Sequence, residues 1–184
     1  MKHQPLFDLV SQIIEDICEY KGDLRIFSPH ENGAHVLLVI PHTADYPKLI
    51  GKGGRQVNAM KFLFRQASLK LGCALDYQIK DSFTGTREAV IPFAYNPDFD
   101  AGKLERMMEQ LAALVMHTEP PVGTVLEGDR VIARIKVDRT ANNEAIVAAL
   151  DAVFYAWCYP RGRKLKLIAD YITHETNKDS HQPR

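Results

Sequence analysis

The feature that most constrains the fold is a glycine-rich turn at residues 51–54, Gly-Lys-Gly-Gly, which interrupts a helix-patterned run over residues 47–71. Glycine inside a helix costs about 1 kcal/mol relative to alanine, so we expect two helices joined by a turn here. Such a turn, called the glycine loop below, leaves the first N–H groups of the following helix unpaired, with the positive end of the helix dipole behind them. The glycine loop is therefore a candidate site for an anion.

Cations gather around the glycine loop, although the whole chain has a formal net charge of +0. Every charged residue between Tyr46 and Leu75 is basic. Lys52 and Arg55 can make charge-assisted hydrogen bonds to an anion, and the glycines leave room for a ligand backbone to approach. This local segregation of charge favours phosphate as the ligand.

The periodicity of apolar residues predicts the elements of the first part of the chain. Helical spacing covers residues 6–17 and continues on both sides of the glycine loop. Strand-like runs cover residues 24–27, Ala34–Ile40 and Leu75–Ile79, and the first two are expected to form a hairpin. The predicted order is helix, strand, strand, helix, glycine loop, helix and strand.

This order, with Ile50-Gly51-Lys52-Gly53-Gly54-Arg55 between the two central helices, resembles the KH family of nucleic-acid-binding domains in its type II arrangement, αββααβ. It is similar to the small bacterial KH-domain RNA-binding proteins, where an Ile-Gly-Lys-x-Gly-Arg sequence occupies the same place. The resemblance covers roughly residues 6–81. A bare GxxG carries little information, but the flanking residues and the order of elements make this one specific.

The resemblance implies an RNA site, because the GxxG loop of a KH domain clamps about four backbone nucleotides. Bases would lie on an apolar surface formed by the following helix and by residues Val36 to Ile40 of the adjoining strand. The implied RNA-binding residues are Ile50, Gly51, Lys52, Gly53, Gly54, Arg55, Lys48, Val57, Asn58 and Lys61. Two alternatives stay open: the glycines form only a structural corner, and Lys61, Arg65 and Lys70 form only a solvated helix face.

The second part of the chain repeats the pattern helix, strand, strand, helix, strand. We divide the chain into a KH-like domain at 1–82, a linker with a strand-like run at 83–99, a second small α+β domain at 100–172 and a disordered tail at 173–184. The second domain is either a degenerate KH-like repeat without the GxxG loop or an unrelated α+β domain. Its residues 141–144, Ala-Asn-Asn-Glu, stand near the place of the glycine loop, and Glu144 would repel a phosphate.

Capping residues and a second group of cations complete the sequence-based expectations. Gly22 is expected to end the first helix, Thr43 and Asp100 to cap later helices, and Asn142 or Asn143 to cap the long helix of the second domain. A basic cluster either extends an electrostatic track for RNA or protects a strand edge by its charge. Its members are Arg161, Arg163, Lys164 and Lys166.

Other function classes find little support in the sequence. Cys18, Cys73 and Cys158 are too few and too widely spaced to suggest a disulfide framework or a CxxC metal site. The chain contains no GxSxG, P-loop or GxGxxG sequence, so we expect no catalysis, no cofactor and no metal. No apolar run approaches the roughly 20 residues of a membrane span, and the start of the chain does not resemble a signal peptide, which predicts a cytoplasmic protein.

The sequence thus predicts a non-catalytic protein that recognises a short single-stranded RNA through the glycine loop. The alternative is a scaffold that keeps the KH fold for assembly in a ribonucleoprotein or with a protein partner. A single functional loop gives weak affinity, so useful binding would need a second RNA-binding protein or self-association.

Overall fold

The computed structural model describes residues 1–82 and 98–172, and the predicted α+β class is confirmed. The first half, residues 1–82, contains α1 (Gln4–Ile17), β1 (Arg25–Phe27), β2 (His30–Glu31), β3 (Ala34–Ile40), α2 (Tyr46–Ile50), α3 (Arg55–Leu71) and β4 (Leu75–Ile79). The second half, residues 98–172, contains α4 (Ala101–Val115), β5 (Val122–Glu127), β6 (Arg130–Asp138), α5 (Ala141–Cys158) and β7 (Lys164–Ile172). The strand-like run expected at 89–91 and the tail expected at 173–184 lie outside the described residues.

Each half builds one small sheet around a central strand. In the first sheet β3 pairs antiparallel with β1 and β2, as at His30 and His35, and parallel with β4, as at Leu37 and Tyr77. In the second sheet β6 pairs antiparallel with β5 and parallel with β7, and Ala133 is the partner of residues on both neighbours. In both halves a helix is followed by antiparallel strands, a helical connection and a final strand that runs parallel to the central one.

The halves differ where the glycine loop lies. The first half connects its central strand to β4 through α2, the glycine loop and α3, whereas the second half uses the single helix α5. Thr140 caps α5 by accepting a hydrogen bond from the N–H of Asn143 at 3.1 Å. The expectation that Asn142 or Asn143 would cap this helix is wrong, because Asn143 lies inside it and its side chain donates to the carbonyl of Asp138.

One hydrophobic core joins both halves. The helix faces that carry the apolar spacing are buried, among them Ile13 of α1, Phe64 of α3, Leu104 of α4 and Trp157 of α5. Helix α3 packs against α5, and α1 packs against α4. The apolar periodicity of the sequence thus serves a four-helix layer that covers the two sheets.

Two other predicted helix boundaries are wrong. Helix α1 ends at Ile17, and Gly22 lies in the separate short turn Lys21–Asp23. Thr43 does not cap α2, which begins after Asp45. The cause is tertiary: the buried Asp45 carboxylate accepts from the N–H of Tyr20 at 2.9 Å, which ties the segment after α1 to the start of α2. Tyr20 and Asp45 are 25 residues apart, so the spacing of neighbouring residues does not predict this contact.

Polar contacts at helix ends fix how the halves meet. The Asp16 carboxylate at the end of α1 accepts from Trp157 Nε1 at 3.1 Å and lies 2.6 Å from Lys103 Nζ. Arg161 donates to the backbone carbonyl of Asp16, and Lys70 donates to carbonyls at the end of α4. Each half therefore supplies a cation to the C-terminal end of a helix in the other half, where the dipole favours positive charge.

Within residues 1–82 and 98–172, no helix is long and apolar enough to cross a membrane.

Candidate nucleic-acid interface

Three left-handed backbone positions shape the glycine loop. Gly51 ends α2 at φ 74° and ψ 166°, a region that is essentially restricted to glycine. Gly53 at φ 62° and Gly54 at φ 77° follow, and α3 begins at Arg55. The predicted break between two helices is confirmed, and glycine relieves the strain that a side chain would cause there.

The glycines differ in their surroundings. A Cβ at Gly51 would lie 3.0 Å from both the Cβ and the backbone N of Gln56, a buried residue. A Cβ at Gly54 would lie 3.4 Å from Asn58 Nδ2, whereas at Gly53 it would meet nothing within 4 Å. Gly51 therefore serves the packing of the corner, while Gly53 offers open backbone that a ligand could approach.

Two of the predicted cations are exposed and unneutralised. Lys52 in the glycine loop and Lys61 on α3 lie at the surface, and neither forms an ion pair with a residue in the described part of the chain. Asn58, Lys61 and Arg65 recur at spacings of three and four residues and are all exposed, so they form one stripe along α3 from the glycine loop. This stripe can donate hydrogen bonds to a polyanion.

The remaining predicted contacts on α2 and α3 are less accessible. Ile50 and Val57 are half-buried, and Val57 packs against the hydrophobic core. On the strand expected to carry bases, Leu37 and Val39 are buried in that core. On the other side of β3, Val36 is buried and Ala34, Leu38 and Ile40 are half-buried, so this strand has little exposed surface to offer to bases.

Lys48 forms ion pairs with two acidic residues of the same half. Its Nζ lies 2.7 Å from Asp45 and 3.2 Å from Glu19. Burial by itself lowers the pKa of the Lys48 ammonium, but the hydrogen bonds and negative charges of Asp45 and Glu19 outweigh it and raise the pKa above its usual value. Lys48 therefore ties α2 to the end of α1, and its charge is already balanced.

Arg55, the first residue of α3, contacts the second half. Its guanidinium lies 3.1 Å from the Asp151 carboxylate on α5, and its side chain is 68% exposed. The other Asp151 oxygen accepts from the N–H of Leu167 on β7 at 3.0 Å. Asp151 thus links the glycine loop to the second sheet, and a phosphate at Arg55 would have to share or replace this carboxylate.

The basic cluster near residue 162 does not form a continuous surface track. Arg161 is buried, with its guanidinium 3.7 Å from the centre of the Trp157 ring. Arg163 donates to the carbonyl of Gly128, and Lys164 lies 2.7 Å from Asp129. Only Lys166 is exposed without an ion pair to a described residue, because tertiary and turn contacts engage the other three.

Lys70 also has an intramolecular role. Its ammonium donates to the carbonyls of Ala113 and Met116, where α4 ends. The Lys70 side chain is exposed, and its ammonium is at the same time engaged in these contacts within the protein. The signal was hidden because its partners are 43 and 46 residues away in the chain.

A shallow groove of about 280 Å³ separates α3 from α5 beside the glycine loop. Arg55, Ala59 and Phe62 line one wall, and small residues of α5, including Ala145 and Ala148, line the other. The groove places α5 next to the predicted phosphate site. The second half therefore borders the candidate interface, which sequence reasoning did not foresee.

Burial makes the two core thiols unreactive. It raises the pKa of Cys18 and of Cys158 to about 12, because a thiolate is disfavoured in an apolar environment. These side chains fill space between the helices.

A scan against models of protein families matches none with this chain, and a search of curated proteins finds no significant relative.

Proposed function

We propose that the protein is a non-catalytic RNA-binding protein that holds a short single-stranded segment at the glycine loop of a type II KH-like domain. The observation that carries the proposal is the open, left-handed backbone at Gly53 beside the exposed Lys52, at the start of a helix of 17 residues. A helix start of this kind attracts anions through its free N–H groups and its dipole.

The architecture supports the same proposal. The first half runs α1, β1 with β2, β3, α2, α3 and β4, and the glycine loop stands between its two central helices. Taking β1 and β2 as one interrupted strand gives the order αββααβ. On this proposal the second half is a degenerate KH-like repeat, and α5 replaces the helix, glycine loop and helix of the first.

The proposed binding is weak and electrostatic in part. About three phosphate contacts would give a slope of roughly −2 for log K against log salt concentration with a single strand. A second RNA-binding protein or self-association would raise the affinity by bringing further contacts to the same strand. The proposed setting is the cytoplasm, where single-stranded RNA is available.

The test compares two variants with equal changes in charge. Lys52→Asp should weaken binding to a single-stranded RNA strongly and flatten the salt slope, while Lys136→Asp, at an exposed position of the second sheet, should change both far less.

The double variant Lys52→Asp with Gly53→Asp should abolish binding and leave the thermal melt nearly unchanged. Equal affinities for the double variant and the natural protein would remove the glycine loop from the mechanism. A natural protein that binds no RNA but co-elutes with a protein partner would favour the scaffold.

A further inference from the structure

Two tyrosines near the end of α5 present large ring surfaces to solvent. Tyr155 is 41% exposed and Tyr159 is 67% exposed. Their ring centroids are 6.2 Å apart and their planes differ by 27°, so the rings stack in an offset manner. We call them the tyrosine pair. Exposed stacked rings are common features of surfaces that bind bases, since every base has a π-face.

The directions of the helices place the tyrosine pair relative to the glycine loop. Lys70, near the end of α3, contacts the C-terminal carbonyls of α4. Trp157, near the end of α5, meets Lys103 in the first turn of α4 through their shared partner Asp16. Helices α3 and α5 therefore end at opposite ends of α4, and they run antiparallel to each other.

Antiparallel packing brings the beginning of α3 next to the end of α5. The contact between Arg55 and Asp151 fixes the register. Tyr155 follows Asp151 by four residues, which is one helical turn on the same face or about 6 Å along the axis. Lys52 and Gly53 lie just before the start of α3, and Tyr155 and Tyr159 lie at the end of α5. Since the two helices are antiparallel, the glycine loop and the tyrosine pair lie at the same end of the helix pair.

We propose that the tyrosine pair is a base-stacking platform for the single-stranded RNA whose phosphates the glycine loop holds. This inference rests on the function proposed above and assigns part of the RNA site to the second half. The exposed Lys52 and the guanidinium of Arg55 hold backbone, and the neighbouring phenol rings offer faces for the bases of the adjoining nucleotides. Asp151, one helical turn before Tyr155, is paired with Arg55.

Stacking of this kind has two consequences that a purely structural pair of tyrosines would not have. The aromatic face matters and the hydroxyl does not, so phenylalanine should substitute for tyrosine. The rings carry no charge, so their loss should lower the affinity without changing the number of phosphates contacted. The platform therefore contributes to base contacts in a sequence-tolerant way.

The experiment measures the affinity of the full chain for a uridine-rich single-stranded RNA of about ten nucleotides at several salt concentrations. The variant Tyr155→Ala with Tyr159→Ala should raise Kd about tenfold, the change expected on losing one stacked base, with an unchanged salt slope. Tyr155→Phe with Tyr159→Phe should retain the affinity. Tyr171→Ala is the matched control, because Tyr171 is 39% exposed and lies by Arg139, at the opposite end of α5.

The results separate this inference from the function on which it rests. If Lys52→Asp impairs binding but the alanine variant binds like the natural protein, the glycine loop stays a clamp and the platform is refuted. If the natural protein binds no RNA, the proposed function fails and the platform with it. A photocrosslink from 5-iodouridine to Tyr155 or Tyr159 would support the platform directly. Loss of self-association in the alanine variant, with unchanged RNA affinity, would make the tyrosine pair a protein contact and overturn the proposal.

Discussion

The guanidinium of Arg55, which follows the glycine loop, lies 3.1 Å from the carboxylate of Asp151 on the helix of the second half. The same carboxylate accepts a hydrogen bond from the N–H of Leu167. A residue predicted to hold phosphate is therefore already paired with an internal anion, and on the proposed function RNA would compete with that anion for it.

Asp151→Asn should strengthen RNA binding several-fold. The substitution removes the competing negative charge but keeps an oxygen that can accept from the N–H of Leu167. If Arg55 then contacts one more phosphate, the slope of log K against log salt should steepen by about 0.7. Titrations at several salt concentrations measure both quantities.

The fold should tolerate this change, because an exposed ion pair contributes at most about 1 kcal/mol. Arg55→Gln is the companion variant, since it removes the cation for which Asp151 and a phosphate would compete. A weaker affinity for Asp151→Asn than for the natural protein would contradict competition between Asp151 and phosphate.

Gly51→Ala should destabilise the protein more than Gly53→Ala. Both positions have positive φ, which costs an alanine about 1–2 kcal/mol, but only at Gly51 would the new Cβ also meet Gln56 at 3.0 Å. Denaturant unfolding of the two variants gives the comparison. Equal losses of free energy of unfolding would show that Gln56 and its helix shift at little cost.

Asp16→Ala should lower the free energy of unfolding by about 1–3 kcal/mol, because it leaves the indole N–H of the buried Trp157 without its acceptor. Lys103 also loses its ion pair. Trp157 is the single tryptophan of the chain, so its fluorescence reports the change. Glu15→Ala, at an exposed position of the same helix, should leave both the stability and the emission nearly unchanged.

The stability of the protein should fall as the pH drops below about 6.5, the usual pKa of histidine. Burial, the charge of His35 and that of the chain's amino terminus lower the pKa of His3, whose ring stacks on His35 at 4.0 Å. A lowered pKa means that the unfolded chain binds more protons in this range, so protonation favours unfolding. The stabilising contribution is complete above pH 6.5 and is lost as the pH falls towards the folded-state pKa.

Denaturant unfolding at pH 7.5 and at pH 5.5 measures this loss. His3→Phe should reduce the difference between the two pH values, because a neutral ring can keep the contacts with Phe7 and His35. His117→Phe, at an exposed position, is the control and should leave the difference as it is. If the stability of His3→Phe depends on pH as strongly as that of the natural protein, titratable groups other than His3 cause the loss.

Much of the fold could be predicted because it depends on local chemistry. Amphipathic spacing identified the faces of α1 and α3, and Asp100 caps α4 as expected by accepting a hydrogen bond from the N–H of Lys103. In each case the relevant residues lie within a few positions of one another. The turn at the glycine loop could be predicted for the same reason, because the glycines that cause it are adjacent in the chain.

Contacts between residues that are distant in the chain could not be predicted. Arg55 and Asp151 are 96 residues apart, and Arg161 is 145 residues from the Asp16 carbonyl that it binds. The periodicity of a sequence does not predict such pairs. A cation in a loop is therefore predicted to be free for a ligand even where an acid of a distant element contacts it. The spacing of Tyr155 and Tyr159, four residues apart on a helix, was a visible signal of a shared face, but its closeness to the glycine loop required the packing of α3 on α5.

Lys70 of the first half closes the end of α4, and Arg161 of the second half closes the end of α1. Separating the halves would leave carbonyls at both helix ends without these donors and expose the apolar faces between them. We therefore expect the two halves to unfold together in one cooperative transition. The first half cut out alone would lack both the partner of Arg55 and the helix that borders the glycine loop.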